Sequence, residues 1–194
     1  CGGDQNPEPR SALALAEQHG AALAKAVEGV LSSSMAPVAG PLRTAFENTE
    51  LAFAPHTRED FEKQLSSKIP AEVRRAKLML KTYDDRQAIR TTPYPVQAIR
   101  FNQGPTILAL GGEVVVDYQL RAKREYPGPL IVAGYSNDVL SYIPSRRVLK
   151  EGGYEAVDSM IYYGKPGPYA DDVEDRIFAS IGRVMKRVGV KGVR

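Results

Sequence analysis

The stretch TILALGGEVVVDYQLRAKREYPGPLIVAGY, residues 106–135, decides the fold class of this chain. TILAL and PLIVAGY are short apolar runs, which are typical of buried strands. Between them, GGEVVVDYQLRAKREY has the length and pattern of a helix that is entered through two glycines. A strand, a helix and a second strand in this order predict a βαβ unit, so we expect an α/β fold with a mixed sheet and flanking helices.

Segments on both sides of this unit continue the alternation of helices and strands. Apolar residues recur every three or four positions between Ser11 and Leu31, which predicts an amphipathic helix with Ser11 as its N-cap. The stretch PLRTAFENTELAFA, residues 41–54, predicts a strand with an irregularity near Asn48. YPVQAIRF, residues 94–101, is expected to be the strand next to TILAL. Three further helices are predicted: one opened by a capping box of Thr57 and Asp60, one from Pro70, and one over residues 170–188.

Composition and charge limit the class of protein. The chain has 194 residues, of which 43% are hydrophobic, and this is enough for one globular domain. Its 26 basic and 23 acidic residues are interspersed, without a basic stripe between aromatic residues, which argues against nucleic-acid binding. The single cysteine cannot form an internal disulfide. No apolar run approaches the roughly 20 residues that cross a bilayer, and we expect any export signal to lie upstream.

Two loops that follow the predicted parallel strands carry polar side chains. In α/β proteins the functional residues are usually found in loops at the carboxyl ends of strands. Glu113 follows a double glycine at a strand-to-helix turn. It is either a site carboxylate at the sheet edge or an acid that stabilises the N-terminus of its own helix. Tyr142 follows the polar run Ser136, Asn137 and Asp138. It is either a buried ring with a hydrogen-bonded hydroxyl or a metal-ligating or acid/base tyrosine.

The chain opens on CGGDQNPEPR, which leaves three alternatives for Cys1. Cys1 is a nucleophile exposed by processing, a lipidation site exposed by signal cleavage, or the point at which a longer protein was cut. Against the first alternative, Cys1 precedes a flexible Gly-Gly instead of beginning a strand. Against the second, a predicted helix follows closely at Ser11, where a lipoprotein would have a long tether. By itself, GDQNP is only a turn.

Two segments, GGEVVVDYQLRAK and AGYSNDVLSYIPSRRVLKEGGYEAVDSMIYYG, resemble the neutral/alkaline, non-lysosomal ceramidase family. Members carry a P-G-E or G-G-E turn, then a segment of the form S-N-x-x-x-x-Y-[IV]-[TP]-[ST], then a Y-E-x-x-S-like stretch that Tyr154 and Glu155 match. The resemblance covers roughly residues 105–164 and is greatest to a bacterial ceramidase-like branch. It implies that residues 1–194 are the C-terminal part of a catalytic domain whose N-terminal half is missing.

The resemblance implies zinc-dependent hydrolysis of an amide, with the zinc ion held by two histidines, a glutamate and a tyrosine. The glutamate falls on Glu113 and the tyrosine on Tyr142, and both side chains are chemically suited to zinc. The two family histidines would lie upstream of this chain. His19 and His56 are in the wrong places and are interpreted as surface or cap-adjacent residues.

The opening loop is similar to the family motif G-D-V-S-P-N, whose serine is assigned as the nucleophile or its equivalent. Asp4 matches the aspartate, and Asn6 stands at the serine position. Asparagine cannot form an acyl intermediate in the usual way. A zinc-bound hydroxide needs no protein nucleophile, however, and the Asn6 amide can donate a hydrogen bond to an oxyanion. We therefore predict that Asp4 and Asn6 belong to the catalytic loop.

The resemblance predicts a zinc-dependent amide hydrolase of the neutral ceramidase type, which cleaves the N-acyl linkage of a ceramide-like lipid in the complete protein. The implied partners are a lipid amide and the N-terminal half, with peripheral membrane contact and an extracellular or periplasmic location. The chain alone is expected to be inactive. The alternative is a non-catalytic binding or scaffold domain, which Asn6 favours and the retention of Glu113 and Tyr142 opposes. Arg146 and Arg147 either meet an anionic head group or form the solvated start of a helix.

Overall fold

The computed structural model describes residues 2–193, and it has a mixed sheet with flanking helices. The α-helices are α1 (Leu13–Leu31), α2 (Arg58–Gln64), α3 (Pro70–Asp84), α4 (Val116–Glu125), α5 (Arg146–Glu151), α6 (Ser159–Tyr162) and α7 (Val173–Arg187), and a π-helical turn, Tyr154–Asp158, leads into α6. The strands are β1 (Ala39–Ala52), β2 (Thr91–Gln103), β3 (Thr106–Leu110), β4 (Glu113–Val114), β5 (Leu130–Ala133) and β6 (Tyr142–Ile143). The predictions for Cys1 lie outside the described residues.

The strands form a four-stranded sheet in the order β1-β2-β3-β5 and a separate pair of β4 with β6. β1 and β2 are antiparallel, as are β2 and β3, whereas β3 and β5 are parallel. The parallel β3 and β5 are connected through α4, which confirms the predicted βαβ unit. The α/β class and the mixed sheet are therefore confirmed.

The main hydrophobic core lies on one face of this sheet. Helix α7 packs against β1 and β2, and α4 packs against β5. The apolar stripe of α7 is buried, as its spacing predicts, and it consists of Val173, Ile177, Ile181 and Val184. Tyr118 of α4 stacks on Phe178 of α7, with 5.7 Å between the ring centroids. The two helices are therefore packed together beneath the strands that lead to the predicted site.

The opposite face of the sheet is apolar and largely exposed. Ile99, Ile107 and Ile131 are successive cross-strand partners on β2, β3 and β5, so they share this face. Phe46 of β1 lies on the same face by register. Ile131 and Phe46 are 51% and 47% exposed, although parallel strands are usually covered on both faces.

Helix α1 forms where the periodicity predicts it, but its cap and its packing differ from expectation. Ala12 is the N-cap and makes no side-chain cap bond, while Ser11 has a φ of 77°, outside the extended region that an N-cap adopts. The predicted Ser11 cap is therefore wrong. No residue of α1 is buried, and Leu13 is 78% exposed. Among residues 2–193, no helix combines the length and the apolar character needed to cross a membrane.

The predicted irregularity in β1 is also misplaced. Asn48 pairs with Pro95 in regular register, and the register shifts between Ala39 and Leu42 instead. Pro41 lies within this interval, and proline has no N–H to donate to the neighbouring strand. The irregularity therefore lies where the ladder lacks a donor.

The two predicted helix starts between β1 and β2 are confirmed. Thr57 and Asp60 form a capping box at the start of α2, and α3 begins at Pro70. Phe61 and Met79 are buried between these two helices in a small second core. The core between α2 and α3 is separate from the main core. Helix α3 also packs against α6.

Candidate functional site

Glu113 and Tyr142 lie directly opposite each other on β4 and β6. The two strands are parallel, and Glu113 pairs in register with Tyr142. The Glu113 N–H also donates to the carbonyl of Ser141 at 2.9 Å. Register partners on neighbouring strands project from the same face of a sheet, so the two side chains lie side by side. The structure thus brings together the two residues predicted as metal ligands.

The local setting of Glu113 differs from the prediction. Glu113 lies on β4, whereas α4 begins only at Val116. The Val116 N–H donates instead to Oδ1 of Asp4 in the opening loop, at 2.8 Å. The predicted helix start at Glu113 is therefore wrong, and so is the alternative in which Glu113 stabilises its own helix. Asp4 has that role.

The opening loop is fastened alongside β4. The Gly3 N–H donates to the Val114 carbonyl at 3.1 Å. A β-carbon at Gly3 would lie 2.6 Å from the carbonyl oxygen of Glu113, so only glycine permits this approach. Asn6 lies in the same loop and is exposed. The predicted loop residues and the predicted ligands therefore occupy one region of the molecule.

Replacing Asp4 with alanine is expected to lower the free energy of unfolding by about 1 kcal/mol, because the first N–H of α4 loses its acceptor. Denaturant unfolding of D4A measures this change. The matched control is Asn6→Ala in the same loop, which should change stability by less than about 0.5 kcal/mol because Asn6 is exposed. Equal stability of D4A and the unmodified chain would contradict the role of Asp4.

Three tyrosines surround the Glu113 carboxylate. The Tyr135 hydroxyl donates to Oε2 at 3.1 Å, and the Tyr163 hydroxyl donates to Oε1. Tyr142, the register partner, is the third. The ring of Tyr142 packs edge-on against Tyr154 and Tyr163, with centroid distances of 5.6 and 6.4 Å. Tyr142 is therefore part of an aromatic cluster around an acid, and it is only partly buried.

The electrostatics of the cluster keep these phenols protonated. Burial, and after it the Glu113 carboxylate, raises the pKa of Tyr142 to about 12. The same two causes raise the pKa values of Tyr135 and Tyr163 above that of an ordinary tyrosine. All three hydroxyls are therefore available as donors at neutral pH. A bound cation would act in the opposite direction, because positive charge favours a phenolate.

Arg146 and Arg147 pair with acids of this chain at the start of α5. Nε of Arg147 lies 3.0 Å from Asp117, and its Nη1 lies 2.8 Å from Glu151. Arg146 pairs with Asp175. Both arginines are about half exposed, which agrees with the predicted solvated start of a helix.

Both histidines form their hydrogen bonds away from Glu113 and Tyr142. Nδ1 of His56 is 2.9 Å from the Tyr83 hydroxyl, and its Nε2 is 2.8 Å from the carbonyl of Ile89. Nε2 of His19 is 2.8 Å from the carbonyl of Pro9. Within residues 2–193, no three or more His, Cys, Asp or Glu side chains are grouped so that they could hold a metal ion. Glu113 and Tyr142 by themselves offer two oxygen donors, fewer than the four ligands that a zinc ion usually has.

A cleft of about 330 Å³ adjoins the tyrosine cluster, between α3 and α6. Its lining combines basic and apolar side chains: Arg74, Arg75, Leu78, Ile161, Tyr162 and Tyr163, with Gly164. Tyr163 is shared by this cleft and the tyrosine cluster, because its hydroxyl donates to Glu113.

Sequence reasoning missed Tyr135 and Tyr163. Both lie in the stretches that carry the family resemblance, in AGYSN and MIYYG. Their hydroxyls reach Glu113 across 22 and 50 positions of sequence, and no periodicity or spacing rule connects residues so far apart. The only available signal was the run of tyrosines near a predicted ligand.

No protein-family model, curated protein or solved structure matches this chain. The ceramidase-like resemblance therefore stays a prediction, and a function has to be argued from the geometry around Glu113.

Proposed function

We propose that this chain supplies the carboxylate and phenol ligands of a zinc-dependent amide hydrolase of the neutral ceramidase type, which cleaves the N-acyl linkage of a ceramide-like lipid. The observation that carries this proposal is the in-register pairing of Glu113 with Tyr142 on two parallel strands. The two residues are 29 positions apart in sequence by their numbers, and ligands of one ion have to meet in space. Two polar residues that do not share a ligand have no need to lie next to each other.

The donor chemistry supports the metal. A carboxylate and a phenol oxygen are donors that zinc accepts, and a four-coordinate site needs further protein or solvent ligands. We propose that two histidines from sequence preceding Cys1 complete the set. When bound, zinc would supply an activated water and a polarised amide carbonyl. As the family resemblance implies, the protein would be exported and would reach its lipid substrate at a membrane surface.

The residues of this chain would hold the reacting parts in place. Asp4 and Gly3 fasten the opening loop to the start of α4 and to β4. Asn6 follows in the same loop, and we propose that its amide donates a hydrogen bond to the oxyanion. Because asparagine has no nucleophilic hydroxyl, the proposal includes no acyl intermediate at residue 6. The cleft between α3 and α6 is the proposed seat of the lipid, since apolar side chains line it beside the tyrosines.

The test compares zinc binding and amide hydrolysis in the chain alone and in the chain extended upstream. We expect residues 1–194 to bind zinc weakly and to release no fatty acid, because half of the ligand set is absent. The extended protein should bind one zinc ion tightly and hydrolyse an N-acyl sphingoid lipid. In it, Glu113→Gln should weaken zinc binding at least about 100-fold, since even residues that only support a ligand contribute 10- to 100-fold.

Glu50→Gln is the matched control, because Glu50 is an exposed acid on β1. Isothermal titration calorimetry gives the dissociation constants, and mass spectrometry gives the released fatty acid. Equal zinc affinity in E113Q and the unmodified protein would contradict the metal role of Glu113. Tight, stoichiometric zinc binding by residues 1–194 would contradict the need for upstream ligands.

A non-catalytic binding or scaffold domain is the second candidate function. One observation favours it: Asn6 occupies the position of the family serine, and asparagine cannot form an acyl intermediate in the usual way. A scaffold of this kind would bind the lipid amide without cleaving it. Retained lipid binding with no fatty acid released by the extended, zinc-loaded protein would favour this function over hydrolysis.

A further inference from the structure

Each oxygen of the Glu113 carboxylate accepts a hydrogen bond from a different phenol. Neither donor comes from β4 or β6, since Tyr135 lies in the turn after β5 and Tyr163 directly follows α6. The arginines at the start of α5 do not compete for the carboxylate, because Arg146 and Arg147 pair with other acids. Two separate elements therefore converge on one side chain.

Backbone hydrogen bonds fix the position of Tyr135, whereas its ring is largely unburied. Its φ of 53° lies in the left-handed region, which is rare for a bulky residue and concentrated at functional sites. The Tyr135 N–H donates to the Gly112 carbonyl at 2.8 Å, and the N–H of Ser136 donates to the Leu110 carbonyl at 3.0 Å. The ring is 52% exposed, so little apolar burial accounts for this conformation. In this conformation the hydroxyl of Tyr135 reaches the Glu113 carboxylate.

Tyr163 is held by packing between helices. Helix α6 follows a π-helical turn, Tyr154–Asp158, and such turns are frequent at functional sites. Helix α6 packs against α3, and the Tyr163 N–H donates to the Ser159 carbonyl at 3.2 Å. The ring of Tyr163 also contacts that of Tyr142. This element therefore has a fixed position, from which the hydroxyl reaches Glu113.

We propose that Tyr135 and Tyr163 are positioning residues, which together fix the rotation of the Glu113 carboxylate and keep it directed towards a cation beside Tyr142. This inference rests on the proposed function, in which Glu113 is a metal ligand. Two donors from independent elements restrain the carboxylate at both oxygens, whereas a single donor would leave it free to rotate. Residues that support a metal ligand in this way typically contribute 10- to 100-fold to metal affinity.

The experiment uses Tyr163→Phe and Tyr135→Phe, which remove one hydroxyl each and keep the ring. Carbon-13 NMR of the Glu113 side-chain carboxyl reports its hydrogen bonding in the metal-free chain, and calorimetric titration of the upstream-extended protein with zinc reports its use as a ligand. We expect the carboxyl resonance to shift in both variants and the zinc dissociation constant to rise about 10-fold in each. Tyr162→Phe is the matched control, because Tyr162 directly precedes Tyr163, is the last residue of α6 and is 63% exposed. It should change neither reading.

Thermal unfolding of each variant shows whether the fold is kept. If Y163F does not fold, the carboxyl resonance and the zinc affinity of Y135F alone still test the inference. An unchanged resonance and an unchanged zinc affinity in folded Y135F and Y163F would overturn the inference, whatever Glu113→Gln does. An equal loss of affinity in Y162F would overturn it as well, because the effect would not depend on contact with Glu113. Suppose that the resonance shifts in Y135F and Y163F but that E113Q does not change the zinc affinity. This result would overturn the proposed function, while the hydrogen bonds from the two tyrosines to Glu113 would be confirmed.

Discussion

Replacement of Gly112 with alanine is expected to destabilise the fold by about 2–5 kcal/mol, because the substitution combines backbone strain with overpacking. Gly112 has a φ of 73°, which an L-residue adopts only at a cost. A β-carbon there would lie 2.6 Å from the Ser141 carbonyl oxygen and 2.8 Å from Cγ1 of Ile143. Both atoms belong to the segment that pairs β6 with β4, so the collision would push apart the strands that carry Glu113 and Tyr142. Denaturant unfolding of G112A measures the loss.

The chain offers a matched control at Gly152. Its φ of 74° is nearly that of Gly112, but a β-carbon there would meet no heavy atom within 4 Å. The ψ of Gly152 is −150°, and this backbone region is essentially restricted to glycine, so Gly152→Ala should cost the strain alone, about 1–3 kcal/mol. The difference between the two variants measures the steric contribution at the site. Equal losses of stability would show that β6 moves away from Gly112 without cost, and would contradict a tightly packed strand pair.

Replacement of Tyr118 with alanine is expected to lower the free energy of unfolding by about 3–5 kcal/mol, as for other large aromatic residues in a core. Tyr118 is fully buried, and its ring stacks on Phe178 with 10° between the planes. Its hydroxyl donates to the carbonyl of Pro144, directly after β6, at 3.1 Å. The side chain therefore links α4 and α7 to the end of the strand that carries Tyr142. Chemical denaturation of Y118A checks the magnitude.

Tyr118→Phe separates the two contributions of this side chain. It keeps the ring in the core and removes only the hydroxyl, so the Pro144 carbonyl loses its donor at a cost of about 1–2 kcal/mol. Y118A should thus be clearly less stable than Y118F. If the two variants were equally stable, the ring would contribute nothing to the core, and the assignment of Tyr118 as a central packing residue would be wrong.

Local patterns predicted most of the helices and strands, because each depends on residues close in sequence. The stripe of α7 recurs every three or four residues, and the capping box of Thr57 and Asp60 spans three positions. The βαβ unit over residues 106–134 follows from two apolar runs and the helix between them. These interactions are formed within an element, so the sequence of that element is sufficient.

Two of the errors arise because a residue distant in sequence makes a contact that was expected from a nearby one. The sequence placed Glu113 at a helix start, but the first N–H of α4 is satisfied by Asp4, which lies 112 positions earlier. Similarly, nothing local identifies Tyr163 as a donor to Glu113 from 50 positions downstream. The expected cap at Ser11 failed because the chain adopts a positive φ there.

By itself, therefore, the sequence determined the α/β class and the order of the elements except β4, β6 and α6, and the family resemblance predicted Glu113 and Tyr142 as ligands. Only the tertiary structure decided that these two residues face each other, that Asp4 lies at the start of α4, and that Tyr135 and Tyr163 hold the carboxylate. The physical reason is the range of the interactions. Backbone hydrogen bonding and apolar periodicity act within a few residues, whereas contacts between side chains of distant elements exist only once those elements have packed into one arrangement.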